Sequence, residues 1–205
     1  MGKLSQLVIA HAVRVLNQKK CLLEAIKSKD ICDYTRKNTK FYNASVGSHM
    51  RHSLQHFSGL LSNPNVQASY NSTVTASSKA SAVLGLEPVL AYDVRSRVTE
   101  IEEDLHAATA EINKTITILN ITPINDLIDK GPSAPVKAIF TDYSNNDITT
   151  QSNVARELVF ITHHAVHHIA MIDLILKDLG YTHDFSGVGL APSTAQYNQR
   201  VDRKT

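Results

Sequence analysis

The sequence lacks the features that mark secreted, membrane-spanning and nucleic-acid-binding proteins. It has two cysteines, Cys21 and Cys32, which are not spaced as a CxxC pair. Nothing therefore requires a disulfide framework, and we expect a reducing, cytoplasmic setting. No uninterrupted apolar run approaches the roughly 18 residues needed to cross a bilayer. The net charge is +2, which gives no general attraction to nucleic acid or to acidic membranes.

Helical periodicity dominates what is present. Four segments repeat apolar residues at the spacing of an amphipathic helix. They are residues 3 to about 27, 45 to about 61, 92–119, and 153 to about 179. The first segment carries His11 and Arg14 within its apolar stretch and lacks a small-residue cleavage site, so it is predicted to be a helix rather than a signal peptide. Ser45 is the predicted cap of the second helix, and Gly180 is the predicted end of the fourth.

The connecting segments have other compositions. Residues 63–82 are rich in Ser, Thr, Ala and Asn, which predicts a long surface loop. Residues 121–150 alternate polar and apolar positions around Asn145-Asn146, which favours a short β-hairpin. Residues 180–205 are expected to form an irregular tail. The predicted fold is one all-α domain over residues 1–205, a four-helix bundle with a small hairpin before its last helix.

Histidine is the residue type with an unusual distribution. The chain has ten histidines, and seven of them lie in two short clusters. The clusters are His49, His52 and His56, and His163, His164, His167 and His168. Helical residues three or four positions apart lie on the same face. The first cluster should therefore project toward one side, and the second should form two neighbouring pairs.

The two pairs of the second cluster are offset by about 100° around the helix axis. His164 and His168 share a face with three isoleucines of the same segment, so we expect this pair to face the interior. His167 is expected beside the pair, as a pocket residue. His163 is expected to be the most peripheral of the four.

Such a set of imidazoles indicates a metal site. Neutral imidazoles are the commonest nitrogen ligands of zinc, iron, nickel and copper. A pair from one helix and a third histidine from a facing helix would leave coordination positions open, as in catalytic sites. The third ligand should be His49, His52 or His56, and His52, in the middle of the cluster, is preferred. The alternative is a buried polar network, which would cost roughly a few kcal/mol for each ring without a partner.

Four motifs together resemble the DinB-like superfamily of small four-helix metalloproteins. They are "SVGSHMRHSLQHF", "YDVRSRVTEIEEDL", "ARELVFITHHAVHHIAMI" and "GLAPSTAQY". The resemblance extends over residues 4–197. It implies a divalent metal held by one histidine of the second helix and two of the fourth, here His52, His164 and His168. It also implies a homodimer.

Characterised members of that superfamily include thiol S-transferases that use bacillithiol or mycothiol, a thiol-dependent maleylpyruvate isomerase, and the iron-binding domain of ergothioneine-type sulfoxide synthases. Other members have no assigned reaction. This chain departs from the pattern through four additional histidines. They are His49, His56, His163 and His167, and they leave the choice of ligands open.

Several other residues are candidates for roles around the metal. A metal of this kind lowers the pKa of a bound water or thiol, and His56 and His167 are the candidates for moving the proton. His49 is a candidate pocket residue. Glu157 could orient a ligand imidazole through a hydrogen bond, or it could favour the helix N-terminus as a carboxylate.

Two arginines have two interpretations each. Arg51 and Arg97 could bind a substrate carboxylate. Structural ion pairs, with Glu102 as a partner, are the favoured interpretation. The sequence thus predicts a metal-dependent enzyme acting on a small molecule, such as a low-molecular-weight thiol, with zinc the first choice and iron, nickel or manganese the others. A metal hydrolase, a non-haem iron enzyme and a non-catalytic metal-binding stress protein are the alternatives.

Overall fold

The computed structural model describes residues 2–62, 89–93, 99–182 and 188–202. In this part of the chain the protein is mostly helical, with a small three-stranded sheet. The helices are α1 (Lys3–Lys29), α2 (Val46–Leu61), α3 (Glu100–Glu103), α4 (Leu105–Leu119), α5 (Thr122–Lys130), α6 (Val154–Asp178) and α7 (Pro192–Asp202). The strands are β1 (Val89–Ala91), β2 (Pro135–Thr141) and β3 (Asp147–Asn153). The predicted loop at 63–82 lies outside the described residues.

The core lies between four of the helices. Helix α6 packs against α1 and α2, and α4 packs against the same two helices. The side chains between them are fully buried and apolar, including Leu16, Leu54, Phe57, Ile112 and Ile172. Burying each such side chain contributes about 1.5–3 kcal/mol. This core fixes the relative positions of α2 and α6, the two helices that carry the histidine clusters.

The predicted ends of α2 and α6 match the observed ones. The Ser45 hydroxyl accepts a hydrogen bond from the Ser48 N–H at 3.1 Å, and the Ser48 hydroxyl accepts one from the Ser45 N–H at 3.0 Å. These reciprocal bonds form a capping box at the start of α2. Asn153 caps α6 by accepting from the Arg156 N–H at 3.0 Å. Gly180 follows α6 with a φ of 74°, a conformation that glycine adopts without strain.

The sheet is not the hairpin that the sequence predicted. Strands β2 and β3 pair antiparallel from Pro135–Asn153 to Thr141–Asp147. Strand β1 then adds to the other edge of β2 in parallel, with Leu90 opposite Ala138. A three-residue strand with one buried side chain has too little alternation to be recognised in the sequence, so β1 was missed.

The predicted long third helix is also wrong. Its first two residues, Tyr92 and Asp93, form a bend directly after strand β1, and the Asp93 carboxylate accepts a hydrogen bond from the Thr141 N–H at 2.7 Å. The remainder breaks at Asp104, which has an extended conformation and accepts from the His106 N–H at 2.7 Å. An aspartate that caps the next helix interrupts the one before it. The result is the short helix α3 followed by α4.

Two helices were absent from the prediction. Helix α5 carries the apolar residues Ile124, Leu127 and Ile128 at helical spacing, which contradicts the β structure expected for residues 121–150. Helix α7 lies in the tail that was predicted to be irregular, which is a second correction. Its described side chains are mostly exposed, and a helix without a buried face shows little apolar periodicity.

Helix α6 is the one helix in the described part of the chain that is long and apolar enough to cross a membrane. Its most apolar 18-residue window has a mean hydropathy of 1.4, and half of that window is buried inside the protein. Core helices of globular proteins meet the same criterion. The sequence expectation considered uninterrupted apolar runs, which the histidines break, whereas the mean hydropathy of the window stays at 1.4 because its other residues are strongly apolar.

Candidate metal centre

Helices α2 and α6 bring histidines of both clusters together. The Nε2 atoms of His164 and His52 lie 3.1 Å apart, and the Nε2 atoms of His168 and His164 are also 3.1 Å apart. The rings of His52 and His168 are 4.6 Å apart between centroids. Ligand nitrogens about 2.0–2.1 Å from a tetrahedral zinc have separations only slightly larger than these. The three predicted ligands are therefore gathered around one point.

His56 lies against the same group. His52, His56 and His164 each offer a ring nitrogen, and these nitrogens lie within 4.8 Å of one another. The His56 and His164 rings are 4.6 Å apart between centroids. Four histidines thus surround the centre, and either His56 or His168 completes a set of three with His52 and His164. The 3.1 Å separation of the His168 and His164 Nε2 atoms is the observation for preferring His168 as the ligand.

The four histidines of α6 differ in exposure. His168 is 8% exposed, His164 is half-buried, and His163 and His167 are exposed. The His167 ring lies 6.4 Å from that of His164 and 5.3 Å from that of His168. His167 therefore borders the centre from the solvent side. His163 faces helix α1 instead.

His49 holds His168 from the far side. The Nδ1 atoms of the two rings are 2.9 Å apart, so one ring donates to the other through the nitrogen that His168 does not direct at the centre. Such a bond fixes the tautomer and orientation of a ligand ring. Burial, with Lys19 and His167 nearby, lowers the pKa of His49 to about 4. Burial and the surrounding imidazoles hold the pKa of His168 far below its usual range. Both rings are neutral near pH 7, the form that binds metal.

Lys19 is a buried residue of this region that the sequence analysis overlooked. Its side chain is 0% exposed, and its Nζ donates to the Ser53 hydroxyl at 2.7 Å and lies 3.8 Å from the Met50 sulfur. The Ser53 hydroxyl in turn donates to the His49 carbonyl at 2.9 Å. The position of Lys19 among the buried apolar residues of α1 is the feature of the sequence that could have indicated its burial. Burial lowers the pKa of Lys19 to about 7.

Glu157 is tied to the centre through Tyr92. It is 0% exposed, and it accepts hydrogen bonds from the Tyr92 and Ser152 hydroxyls and from Arg156 at 2.6 Å. The Tyr92 ring lies 5.1 Å from the ring of His56. Glu157 thus positions the aromatic wall behind His56, a role that the sequence did not suggest. Burial and the bond to Glu157 raise the pKa of Tyr92, so its hydroxyl stays protonated.

A small open pocket of about 90 Å³ adjoins the histidines. Its wall combines one side of α2 with strand β1 and the residue after it. The lining residues are His52, Gln55, His56, Gly59, Val89, Leu90, Ala91 and Tyr92. This volume holds a few non-hydrogen atoms beside His52 and His56. His167 lies outside this lining, so only one of the two predicted proton-transfer residues faces the pocket.

Arg51 is engaged by Glu102, and the two form an ion pair in which both side chains are largely buried. The pair agrees with the interpretation of Arg51 as a partner in a structural ion pair rather than as a ligand of a substrate carboxylate. Gly47, one turn earlier on α2, brings the helix against the same segment, because a Cβ at this position would overlap the Glu102 carbonyl. The other predicted arginine, Arg97, lies outside the described residues.

Comparison with known proteins finds one partial relative of this chain. No protein-family model matches the chain, and no solved structure matches it. FK506-binding protein 5 of Rhizopus delemar is 35% identical over 109 residues, which is 53% of this chain and 27% of that protein. The match thus spans about a quarter of the length of that relative. Most of that protein lies outside the match, so the binding of FK506 in its name describes that protein and not this chain.

Proposed function

We propose that this protein binds one divalent metal ion through His52, His164 and His168 and uses it as an enzyme on a small molecule. The observation that carries the proposal is the pair of 3.1 Å separations that join the three Nε2 atoms. The packing of α1, α2, α4 and α6 supports the accompanying proposal of a DinB-like four-helix bundle. Zinc is our first choice of metal, and iron, nickel or manganese are the others.

The donor set fits such an ion. Three nitrogen donors from two helices converge, and the most buried of them, His168, is kept neutral mainly by burial and is oriented by its contact with His49. The Nε2 atom of His164 lies 3.1 Å from the Nε2 atoms of both His52 and His168. Each neutral imidazole nitrogen either donates one hydrogen or offers one lone pair. Without a common ligand, these three nitrogens therefore cannot all be satisfied by hydrogen bonds to each other. An ion shared by the three rings would satisfy all of them.

The ion would act as a Lewis acid that lowers the pKa of a water or thiol bound to it. The chain's own residues supply the rest of the chemistry. His56 lines the pocket beside His52 and could accept a proton from a group bound there. Tyr92 supports the His56 ring, and Glu157 fixes the Tyr92 hydroxyl. His167 could pass a proton between the centre and solvent, because its ring is exposed and lies beside that of His168.

The reaction class we propose is thiol transfer to, or thiol-dependent conversion of, a small electrophile, in accordance with the resemblance of the sequence motifs. The described lining residues include Gln55 and Tyr92 beside the histidines, so the substrate would bind through the ion and through polar and apolar contacts with this wall. A hydrolase or a non-haem iron enzyme would use the same centre. A cytoplasmic homodimer without nucleic-acid or membrane partners remains part of this proposal.

One observation favours a second candidate, a non-catalytic metal-binding protein. His56 offers a nitrogen within 4.8 Å of those of His52 and His164. If His56 joined the three proposed ligands, four imidazoles would close a tetrahedral sphere and leave no position for a substrate. The role of His56 therefore separates an enzyme from a scaffold.

Metal analysis of protein made without a histidine tag tests the site. We expect about one equivalent of tightly held metal in the parent, and its loss in His52→Ala and in His164→Ala with helical circular dichroism retained. His106→Ala is the matched control, since His106 is exposed on α4. No bound metal in the parent, even after refilling with zinc, iron, nickel and manganese, would overturn the proposal.

Two further variants separate the candidates. If the protein is an enzyme, His56→Ala should keep the metal and lose turnover of model electrophiles with a thiol, whereas His168→Ala should lose the metal. If His56 is instead a ligand, His56→Ala should release metal as readily as His168→Ala. An oxygen-dependent spectral change in iron-loaded protein would point to the non-haem iron alternative.

A further inference from the structure

A second pair of histidines faces each other away from the centre described above. His11 of α1 and His163 of α6 have ring centroids 5.4 Å apart and ring planes inclined at 59°. The residues come from different helices and are 152 positions apart in the chain. Their approach therefore depends on the packing of α1 against α6, which the core fixes.

The separation of these rings is close to that of two other histidine pairs whose ring nitrogens approach each other. His52 and His164, whose Nε2 atoms are 3.1 Å apart, have centroids 5.1 Å apart. The rings of His49 and His168, with Nδ1 atoms 2.9 Å apart, are 5.2 Å apart between centroids. Two imidazoles at 5.4 Å can thus direct one nitrogen each at a common ion after a small ring rotation.

A buried nitrogen of this pair has no partner. The Nε2 atom of His11 is buried and has no hydrogen-bond partner among the described residues. A buried polar atom left unpaired costs about 1–3 kcal/mol, and a bound cation would remove that penalty. Burial, with His163 and Arg14 nearby, lowers the pKa of His11, so the ring is neutral and able to bind metal near pH 7.

We propose that His11 and His163 form a second metal site, which clamps helix α1 to helix α6 and is independent of the buried centre. Two imidazoles supply two ligands, and solvent reaches the site through the exposed ring of His163. Water would fill the remaining positions, so this site is weaker and exchanges metal faster than a three-histidine centre. Nitrogen donors select zinc, nickel and copper(II) over magnesium and calcium, with copper(II) the tightest.

Arg14 sets a further condition on this site. It is exposed, one turn after His11 on the same helix, and its positive charge opposes the binding of a cation. Solvent screens that opposition only in part. Replacing Arg14 with glutamine should therefore tighten metal binding at the pair without adding a ligand.

The experiment uses the His164→Ala variant as its starting protein, because this change removes a proposed ligand of the buried centre. Metal binding at the His11–His163 pair can then be measured whether or not the buried centre binds metal. We would titrate nickel or zinc by calorimetry and follow thermal unfolding with and without metal. The background protein should bind about one equivalent and unfold at a higher temperature with metal, because a ligand that binds only the folded state stabilises it.

His11→Ala and His163→Ala should each abolish this binding and the thermal shift, and Arg14→Gln should increase the affinity. His106→Ala should change neither. Since His163→Ala changes an exposed side chain, loss of binding there cannot be ascribed to unfolding, and circular dichroism without metal checks this. Unchanged binding in both His11→Ala and His163→Ala, or equal loss in His106→Ala, would overturn the proposal.

Discussion

Replacing Lys19 with methionine should stabilise the protein, and by an amount that depends on pH. Lys19 is fully enclosed between α1 and α2, and its Nζ donates a hydrogen bond to the Ser53 hydroxyl. Burial lowers its pKa from 10.5 to about 7. Since one pKa unit corresponds to about 1.4 kcal/mol, burying the charged form destabilises the folded state by about 5 kcal/mol.

The pH window follows from the two pKa values. Below pH 7 both folded and unfolded chains carry the lysine charge, and the full penalty is present. Between pH 7 and 10.5 the unfolded chain binds a proton that the folded one has lost, so the stability of the parent rises with pH. Above pH 10.5 both forms are neutral and the penalty is gone.

Methionine has a similar length and no charge, so it removes the penalty and loses the hydrogen bond to Ser53, about 1 kcal/mol. At pH 6 the variant should exceed the parent by up to about 4 kcal/mol, within the range seen when buried charges are replaced by apolar groups. The advantage should shrink through pH 7–10 and disappear near pH 10, and above pH 10.5 the variant should be about 1 kcal/mol less stable than the parent because only the lost hydrogen bond remains.

Urea unfolding followed by circular dichroism, with a chelator present, measures this difference at each pH. Lys27→Met is the control, because Lys27 is exposed on the same helix and its replacement should show no such slope between pH 7 and 10. A Lys19→Met difference that stays constant from pH 6 to pH 10 would refute the reasoning. So would a loss of stability at pH 6.

Three further substitutions test contacts around the centre by the same unfolding assay. Gly47→Ala should destabilise by about 1–3 kcal/mol, because its Cβ would overlap the Glu102 carbonyl and force α2 and α3 apart. Tyr92→Phe should cost about 1.5–3 kcal/mol, because it removes a donor from the buried Glu157 carboxylate. Asn153→Ala should cost about 1 kcal/mol through loss of the α6 cap.

Matched controls exist for two of these changes. Gly59 lies in the same helix as Gly47, and no atom of the described residues lies within 4 Å of its Cβ position, so Gly59→Ala should stabilise by about 0.5–1 kcal/mol. Tyr143 is fully exposed, so Tyr143→Phe should have no measurable effect. If Gly47→Ala behaved like Gly59→Ala, the close approach of α2 to α3 would be wrong.

Local periodicity accounts for the parts of the fold that the sequence predicted well. Helices α1, α2 and α6 have long buried faces, and α2 and α6 also have caps in the expected places. The third helix was predicted too long because apolar spacing continues across Asp104, while the local hydrogen bond to His106 that breaks the helix leaves no trace in that spacing. Helix α7 was missed because it has little buried surface to impose a pattern.

For the histidines, too, the spacing within one helix could be predicted, whereas contacts between helices could not. The i, i+4 spacing determined that His164 and His168 share the inner face of α6 and that His163 lies outside it, because both follow from the geometry of one helix. Their distances to His52, and the choice between His56 and His168, depend on how α2 and α6 cross. That crossing is a property of the packed core.

By itself, then, the sequence determined that helices α1, α2 and α6 form and which faces of α2 and α6 carry imidazoles, because backbone hydrogen bonds and side-chain spacing act within a few residues. Only the tertiary structure decided which imidazoles meet, that Lys19 is sealed beside them, and that Glu157 reaches the centre through Tyr92. It also brought His11 to His163. These contacts join residues far apart in the chain, and the packing of the apolar faces sets their distances.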